Sequence, residues 1–142
     1  MEKQQDIKII EKSSLENGLD LIIASTFKHT AGDRYQVTFE AEIEIEIKED
    51  YFGSGVLNSL DVNRVKSLLG DNTVFKYSKV RNFIAGDEKE IVFEAMKKQF
   101  MDSTFAYISS DLFPLSLIKR NFFIAAKEEE LRLKREAYFK NE

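Results

Sequence analysis

Residues 34–48 read RYQVTFEAEIEIEIK and alternate strictly between apolar and polar side chains. The apolar members occupy the odd positions from Tyr35 to Ile47. Carboxylates occupy the even positions from Glu40 to Glu46. Alternation with a period of two places every second side chain on one face of a β-strand, whereas a helix would scatter the same residues around its axis. The segment therefore predicts a long central strand with one buried face and one solvated face.

Two segments nearer the amino terminus indicate further strands. Residues 19–27, LDLIIASTF, form an apolar run rich in β-branched side chains. Residues 7–12 predict another strand, joined to it through Asn17-Gly18, because both of these residues tolerate the positive φ of a type I′ hairpin turn. The apolar spacing of the same segment also suits a short helix, so residues 1–16 remain open between strand, helix and disorder.

The second half of the chain begins with a short helix and a strand. Residues 61–70, DVNRVKSLLG, place apolar side chains at helical spacing, and the side chain of Ser59 or of Asp61 can cap the first turn. Residues 73–84, TVFKYSKVRNFI, are rich in β-branched and aromatic side chains and predict the last strand. The alternation of this strand changes face between Tyr77 and Val80, where we expect a β-bulge.

Turn-forming residues are concentrated before residue 87, since all 6 glycines precede it and the 1 proline is Pro114. Frequent turns followed by few turns indicate strands first and long helices last. Asp87 and Glu90 together predict a capping box at the start of the first long helix. We predict a single α+β domain over residues 1–142, an antiparallel sheet of three to four strands with a short helix and two long carboxyl-terminal helices packed on one face.

Composition excludes several classes of function. A chain of 142 residues can bury a sizeable core. The net charge of -4 argues against a nucleic-acid groove, and the absence of cysteine removes disulfides and thiolate metal sites. No apolar run approaches the roughly 20 residues that span a bilayer, and the amino terminus does not resemble a signal peptide. We therefore expect a cytoplasmic protein that does not enter the membrane.

The end of the chain, residues 127–142, combines charge with isolated apolar side chains in KEEELRLKREAYFKNE. Glu128 with Arg132, and Glu130 with Lys134, are i,i+4 pairs in the favourable order. The larger apolar residues spread widely around the helix, so we expect a helix end that leaves the core and either frays into solvent or lies on a partner. The expected partner-binding residues of this end are Leu131, Leu133, Tyr138 and Phe139.

The acidic side chains of residues 34–48 form a row of carboxylates. Alternate residues of a strand lie about 6.5–7 Å apart, so neighbouring carboxylates repel and could jointly attract a cation. Calcium normally requires ligands that converge more closely, so we expect no metal here. The row is interpreted as a solvated face, paired across strands with Lys76, Lys79 or Arg81, or as a docking surface for a basic partner. Its members are Glu40, Glu42, Glu44 and Glu46.

The single histidine, His29, lies in a segment, residues 28–34, that we expect to be a loop. His29 could act as a general base oriented by Asp33, with Arg34 holding an anionic substrate. These three residues are weak catalytic candidates, because the sequence supplies no nucleophile or second ligand beside them. The alternative interpretation is an exposed histidine beside a structural turn.

Two further motifs are weaker. Residues 53–55, GSG, lack the third glycine of a dinucleotide fingerprint, and no Gly-Lys-Ser/Thr follows them, so we expect no nucleotide cofactor. Residues 75–81 interleave aromatic and basic side chains, which is typical of single-strand nucleic-acid binding when the rings are exposed. The residues that would carry such binding are Lys76, Tyr77, Lys79 and Arg81.

The residues favour three hypotheses about function. The first is a non-enzymatic protein–protein interaction domain, without a cofactor, that binds itself as a homodimer. The second is a small enzyme or small-ligand-binding protein with its site at residues 28–34. The third is nucleic-acid binding through residues 76–81, which the acidic composition disfavours.

Overall fold

A computed structural model describes residues 7–53 and 55–140. Its strands form one four-stranded antiparallel sheet in the order β1-β2-β3-β4, which confirms the α+β fold. The central strand ends at Glu46, two residues before the expected boundary. The elements are β1 (Ile7–Ser14), β2 (Asp20–Ala31), β3 (Arg34–Glu46), α1 (Val62–Leu69), β4 (Asn72–Ala85), α2 (Lys89–Ile108) and α3 (Phe113–Lys140).

The described residues fall into two compact units. The first comprises residues 7–44 and 74–110, which hold β1, β2, most of β3 and β4, and α2. The second comprises residues 45–73 and 111–140 without Ser54, and it holds α1 and α3. Ser54, in the GSG motif, and the last two residues of the predicted projecting end lie outside the described residues. The single-domain interpretation stays a prediction.

Strand β3 shows the alternation that its sequence predicts. Its odd positions from Val37 to Ile45 are buried, and its even positions from Glu40 to Glu46 are exposed. Because β2 and β4 flank this strand on its two sides, β3 lies inside the sheet, as expected of a central strand.

The first hairpin confirms the strand interpretation of residues 7–12 and corrects its turn. The amide of Gly18 donates to the carbonyl of Leu15 at 3.0 Å, and the amide of Leu15 donates to Leu19 at 2.7 Å. Gly18 has a φ of 86°, whereas Asn17 is not among the residues of positive φ. A three-residue loop that ends in a left-handed glycine has this pattern, so the type I′ turn was a wrong prediction.

Helix α2 covers one face of the sheet, called here the inner face. The ring centroid of Phe39 on β3 lies 5.8 Å from that of Phe93 and 5.3 Å from that of Phe100, both on α2. At the sheet edge, Lys97 of α2 pairs with Glu11 of β1 at 2.6 Å. The rings exclude water from the inner face, and the ion pair lies at its margin.

The start of α2 differs from the predicted capping box. The helix begins at Lys89 with Glu88 as its N-cap, and no side-chain hydrogen bond caps it. The amide of Glu88 instead donates to the carbonyl of Ala85 at 2.9 Å. This turn at the end of β4 moves the helix start beyond Asp87, so the expected box cannot form.

Strand β4 changes face later than predicted. The ring of Tyr77 contacts Phe39 on the inner side, and Lys79 donates to Gln99 of α2 at 3.2 Å. The alternation therefore continues through these residues. It breaks at Phe83, whose φ of 59° is the only positive value among the described residues other than glycine. The irregularity predicted between Tyr77 and Val80 thus lies at Phe83.

In the second unit, α1 begins as its sequence predicts. The carboxylate of Asp61 accepts a hydrogen bond from the amide of Asn63 at 3.0 Å, and Val65 is fully buried. Helix α1 contacts α3, and Arg64 pairs with Glu129 across them at 2.6 Å. The buried residues of α3 lie in its first three turns and are Phe113, Pro114, Leu117, Ile118 and Phe122.

Candidate functional site

The outer face of the sheet, opposite α2, holds a groove of about 330 Å³ that all four strands border. Ile10 on β1 is 63% exposed beside it, and Ile22 on β2 is also exposed. Apolar side chains of this size on a solvated sheet face indicate a surface that another element can cover. The side chains that border the groove include those of Lys8, Ile10, Ile22, Glu40, Glu42, Lys76 and Ser78.

The strand register explains why apolar and acidic side chains meet at this groove. Ile10 pairs with Ala24 across β1 and β2, and Ala24 pairs with Glu40 across β2 and β3. Ile22 pairs with Glu42 one step along the same strands. Neighbouring pairs in a sheet point to the same face, so an apolar strip on β1 and β2 lies beside the carboxylate row of β3.

The carboxylate row, Glu40, Glu42, Glu44 and Glu46, is exposed. Within the part of the chain that the structure describes, none of the four lies in an ion pair. The expected pairing with Lys79 fails because that side chain is on the inner side, bonded to Gln99. Nor does the described chain contain a group of three acidic or histidine side chains that could hold a metal ion. The row is therefore free to meet an external positive charge.

Residues 28–34 do not form the predicted loop. Strand β2 continues through His29 to Ala31, and only Gly32 and Asp33 form the turn before β3. Because cross-strand pairing with Tyr35 extends the hairpin, the ring of His29 packs edge-on against that tyrosine at 5.3 Å. The prediction of a loop at His29 was wrong.

The weak catalytic candidates of this segment are not joined into a site. The Nε2 atom of His29 lies 2.6 Å from the carbonyl oxygen of Gly32. The carboxylate of Asp33 is instead directed at Gly86, where a Cβ atom would lie 2.7 Å from its Oδ1 atom. Arg34 is exposed at the start of β3. No hydrogen bond joins His29 to Asp33, so the pair lacks the geometry of an oriented general base.

Residues 127–140, called here distal α3, are helical and carry exposed apolar side chains. Leu131 is 41% exposed, Leu133 is 50% exposed, and Tyr138 and Phe139 are each 67% exposed. The last buried residue of the helix is Phe122. The predicted partner-binding residues of the helix are therefore accessible to solvent.

Local ion pairs connect successive turns of distal α3. Lys134 donates to Glu130 at 3.0 Å, and Arg132 donates to Glu136 at 2.8 Å. Within the described residues, Arg132 pairs with Glu136 and not with Glu128, so the predicted pair of Glu128 with Arg132 does not form. The hydrogen bond from Lys134, together with the charge of Lys127, lowers the pKa of Glu130 below its ordinary value of 4.5. Glu130 is therefore a carboxylate that two lysines share.

A regular stripe runs along one side of α3. Successive residues of a helix are rotated by about 100°, so residues seven positions apart lie on the same side of the helix. Leu131 is rotated by about 200° from Glu129, the residue that pairs with α1, and therefore lies on the side away from α1. Along this side, a basic residue occurs at every seventh position, and an apolar residue follows each basic residue four positions later. The outward stripe consists of Arg120, Ile124, Lys127, Leu131, Lys134 and Tyr138, all of them exposed.

Sequence reasoning missed two features, one on α3 and one on β4. It did not include Arg120 and Ile124 among the candidates, although Arg120 lies seven residues before Lys127 and Ile124 lies seven residues before Leu131 in the sequence. It also missed Phe83, which is 79% exposed and has a backbone conformation that bulky side chains avoid. Only the structure places Phe83 at the point where β4 changes face.

The basic-aromatic residues of β4 divide between the two faces of the sheet. Tyr77 packs against Phe39 and Phe100, with ring centroids 5.9 and 5.0 Å apart, and Lys79 is on the same side. Lys76 borders the groove of the outer face instead. Stacking of bases requires an open ring, and that of Tyr77 is partly covered, so the geometry adds no support for nucleic-acid binding.

None of the described helices has the length and apolar character that a membrane crossing requires. No family model, curated protein or solved structure matches this chain. Its function is therefore inferred from its own residues, of which distal α3 and the outer face of the sheet are the two accessible apolar surfaces described above.

Proposed function

We propose that this protein is a non-enzymatic interaction domain that binds protein through distal α3, and that its partner is a second copy of itself. One observation carries the proposal. Leu131, Tyr138 and Phe139 are 41–67% exposed on a helix that continues from Phe122, its last buried residue, to Lys140.

The energetics favour a contact role for distal α3. Complete burial of a leucine or phenylalanine side chain is worth about 1.5–3 kcal/mol relative to exposure. The ion pairs of Lys134 with Glu130 and of Arg132 with Glu136 lie on the solvated surface of the helix, where such pairs contribute little to stability. Distal α3 therefore stabilises its own helix weakly and gains much more when a partner covers its apolar side chains.

Sedimentation equilibrium of the full chain over a range of concentrations tests the proposal. We expect the mass to rise from 16.5 kDa toward twice that value, and Leu131→Glu to shift the equilibrium to the monomer. Ile91→Glu is the matched control, since Ile91 is an exposed apolar residue of α2 outside distal α3. Circular dichroism verifies that both variants are folded. A wild-type mass of 16.5 kDa at every concentration would contradict self-association.

A further inference from the structure

Resting on that proposed function, we infer how the two copies bind each other: the outward stripe of α3 in one copy lies on the outer face of the sheet in the other copy. The helix in this arrangement covers the groove that Ile10 and Ile22 border. A sheet that is already covered by a helix on one face thereby gains a second helix on the other, an arrangement common among layered folds.

The two surfaces are complementary in polarity. The outward stripe alternates apolar side chains with basic ones, as in Ile124, Lys127 and Leu131. The sheet presents an apolar strip on β1 and β2 beside an acidic row on β3, through the pairs of Ala24 with Glu40 and of Ile22 with Glu42. A helix laid along these strands can direct apolar side chains toward the strip and basic side chains toward the row.

The charges of both surfaces are available for such a contact. Within the described residues, the carboxylate row of β3 forms no ion pair, and neither does Arg120. Lys127 and Lys134 share Glu130 at 3.7 and 3.0 Å on a solvated helix surface. Exposed pairs of this kind are weak, so little opposes their exchange for carboxylates of the partner copy.

The two rows also agree in length. From Glu40 to Glu46 a strand extends about 20 Å, at about 3.3 Å per residue. From Arg120 to Lys134 a helix extends about 21 Å, at 1.5 Å per residue. A helix aligned with β3 therefore keeps its three basic side chains beside the acidic row over the full length of that row.

The same stripe disfavours direct pairing of two α3 helices. In a coiled coil the apolar seam needs both the a and the d positions of the heptad. Here Ile124, Leu131 and Tyr138 supply one of these positions, and the other is occupied by Lys127 and Lys134. Two such stripes in contact would bring like charges together, whereas the outer face of the sheet offers opposite charges.

Charge reversal tests whether α3 of one copy binds the outer face of the sheet of the other. The helix variant combines Lys127→Glu with Lys134→Glu, and the sheet variant combines Glu40→Lys with Glu42→Lys. We expect each variant alone to raise the Kd of self-association about tenfold or more, and all four substitutions in one chain to restore it to within a few-fold of wild type. Added salt weakens the wild-type assembly because it screens the paired rows.

Matched controls carry the same change of net charge at other positions. Lys66→Glu with Lys98→Glu lies on α1 and α2, outside α3, and Glu90→Lys with Glu94→Lys lies on the exposed side of α2. We expect both controls to assemble as wild type does. If the sheet variant loses its fold by circular dichroism, Glu40→Gln with Glu42→Gln replaces it, with an expected increase in Kd of several-fold.

The outcomes separate this inference from the proposed function. If the helix variant dissociates while a folded sheet variant assembles as tightly as wild type, distal α3 binds elsewhere and the inference is overturned while the proposed function stands. If the wild-type chain is a monomer, both are overturned. Recovery of assembly in the chain with all four substitutions supports the inference directly.

Discussion

Helices α2 and α3 both carry many apolar residues, yet they bury them very differently. The buried residues of α2 extend from Phe93 to Ile108, across almost the whole helix. Those of α3 end at Phe122, although the helix continues to Lys140. The length of α2 is explained by the sheet face that it covers, whereas the length of α3 exceeds what its buried residues require.

This difference indicates what maintains each helix. Most helices in proteins are stabilised by tertiary packing of an apolar face rather than by intrinsic propensity. In α2 that packing is visible as the rings of Phe93 and Phe100 against Phe39. In distal α3 the visible support consists of the ion pair of Glu129 with Arg64 of α1 and of local ion pairs such as Lys134 with Glu130, so its apolar residues are available to another surface.

The largest expected effect is a contrast between one aromatic residue on each helix. Phe100→Ala removes a buried ring from between α2 and the sheet and should lower the free energy of unfolding by about 3–5 kcal/mol. Phe139→Ala, on distal α3, should change the stability of the monomer by less than about 0.5 kcal/mol. Urea denaturation at low protein concentration measures both. Similar losses for the two variants would show that distal α3 is packed within its own chain.

An intermediate effect is expected at the carboxyl end of α2. The side-chain amide of Asn17 donates to the carbonyl oxygens of Ile108 and Ser110 at 2.8 and 2.9 Å. Asn17→Ala leaves these partly buried carbonyls without that donor, so we expect a loss of about 1–3 kcal/mol in the free energy of unfolding. Asn82→Ala is the control, because its bond to Gln36 is exposed and its loss should matter little. Equal losses for the two would argue against a special role of the Asn17 contact.

The smallest effect concerns the pH dependence of distal α3. Lys134 and Lys127 lower the pKa of Glu130 in the folded helix, so the stabilisation is present above the unfolded value of 4.5 and is lost as pH falls through the folded pKa. We expect a small decrease in helical circular dichroism in that acidic range. Glu130→Gln should reduce the decrease, whereas Glu94→Gln on α2 should not. An identical acid response in wild type and Glu130→Gln would remove Glu130 as its origin.

Local patterns in the sequence predicted much of this fold. The strict alternation around Phe39 predicted β3 because the period of a strand is a local property. The cap at Asp61 was equally local. The strand position of His29 was missed because it depends on pairing with Tyr35. The irregularity of β4 was predicted too early in the strand, because the alternation continues under α2 as far as Phe83.

The candidate site was predicted only in part, for a similar reason. The exposed apolar residues of distal α3 were identified from their charged surroundings, as at Leu131. The outward stripe was missed further back in the helix, where Ile124 shares its turns with buried residues such as Phe122. The cross-strand pairing of Ile22 with Glu42 could not be predicted from the sequence, because it depends on the register between β2 and β3.

The contact between Asn17 and Ser110 joins residues 93 positions apart, so it can form only late in the synthesis of the chain. On the ribosome the hairpin of β1 and β2 is complete once β2 has emerged, but Ser110, which Asn17 of the hairpin contacts, emerges only after α2. At about 5–20 residues per second, that interval lasts several seconds. Until α2 has been synthesised, the inner face of the hairpin lacks the helix that covers it, so apolar side chains such as Phe27 stay exposed during that interval.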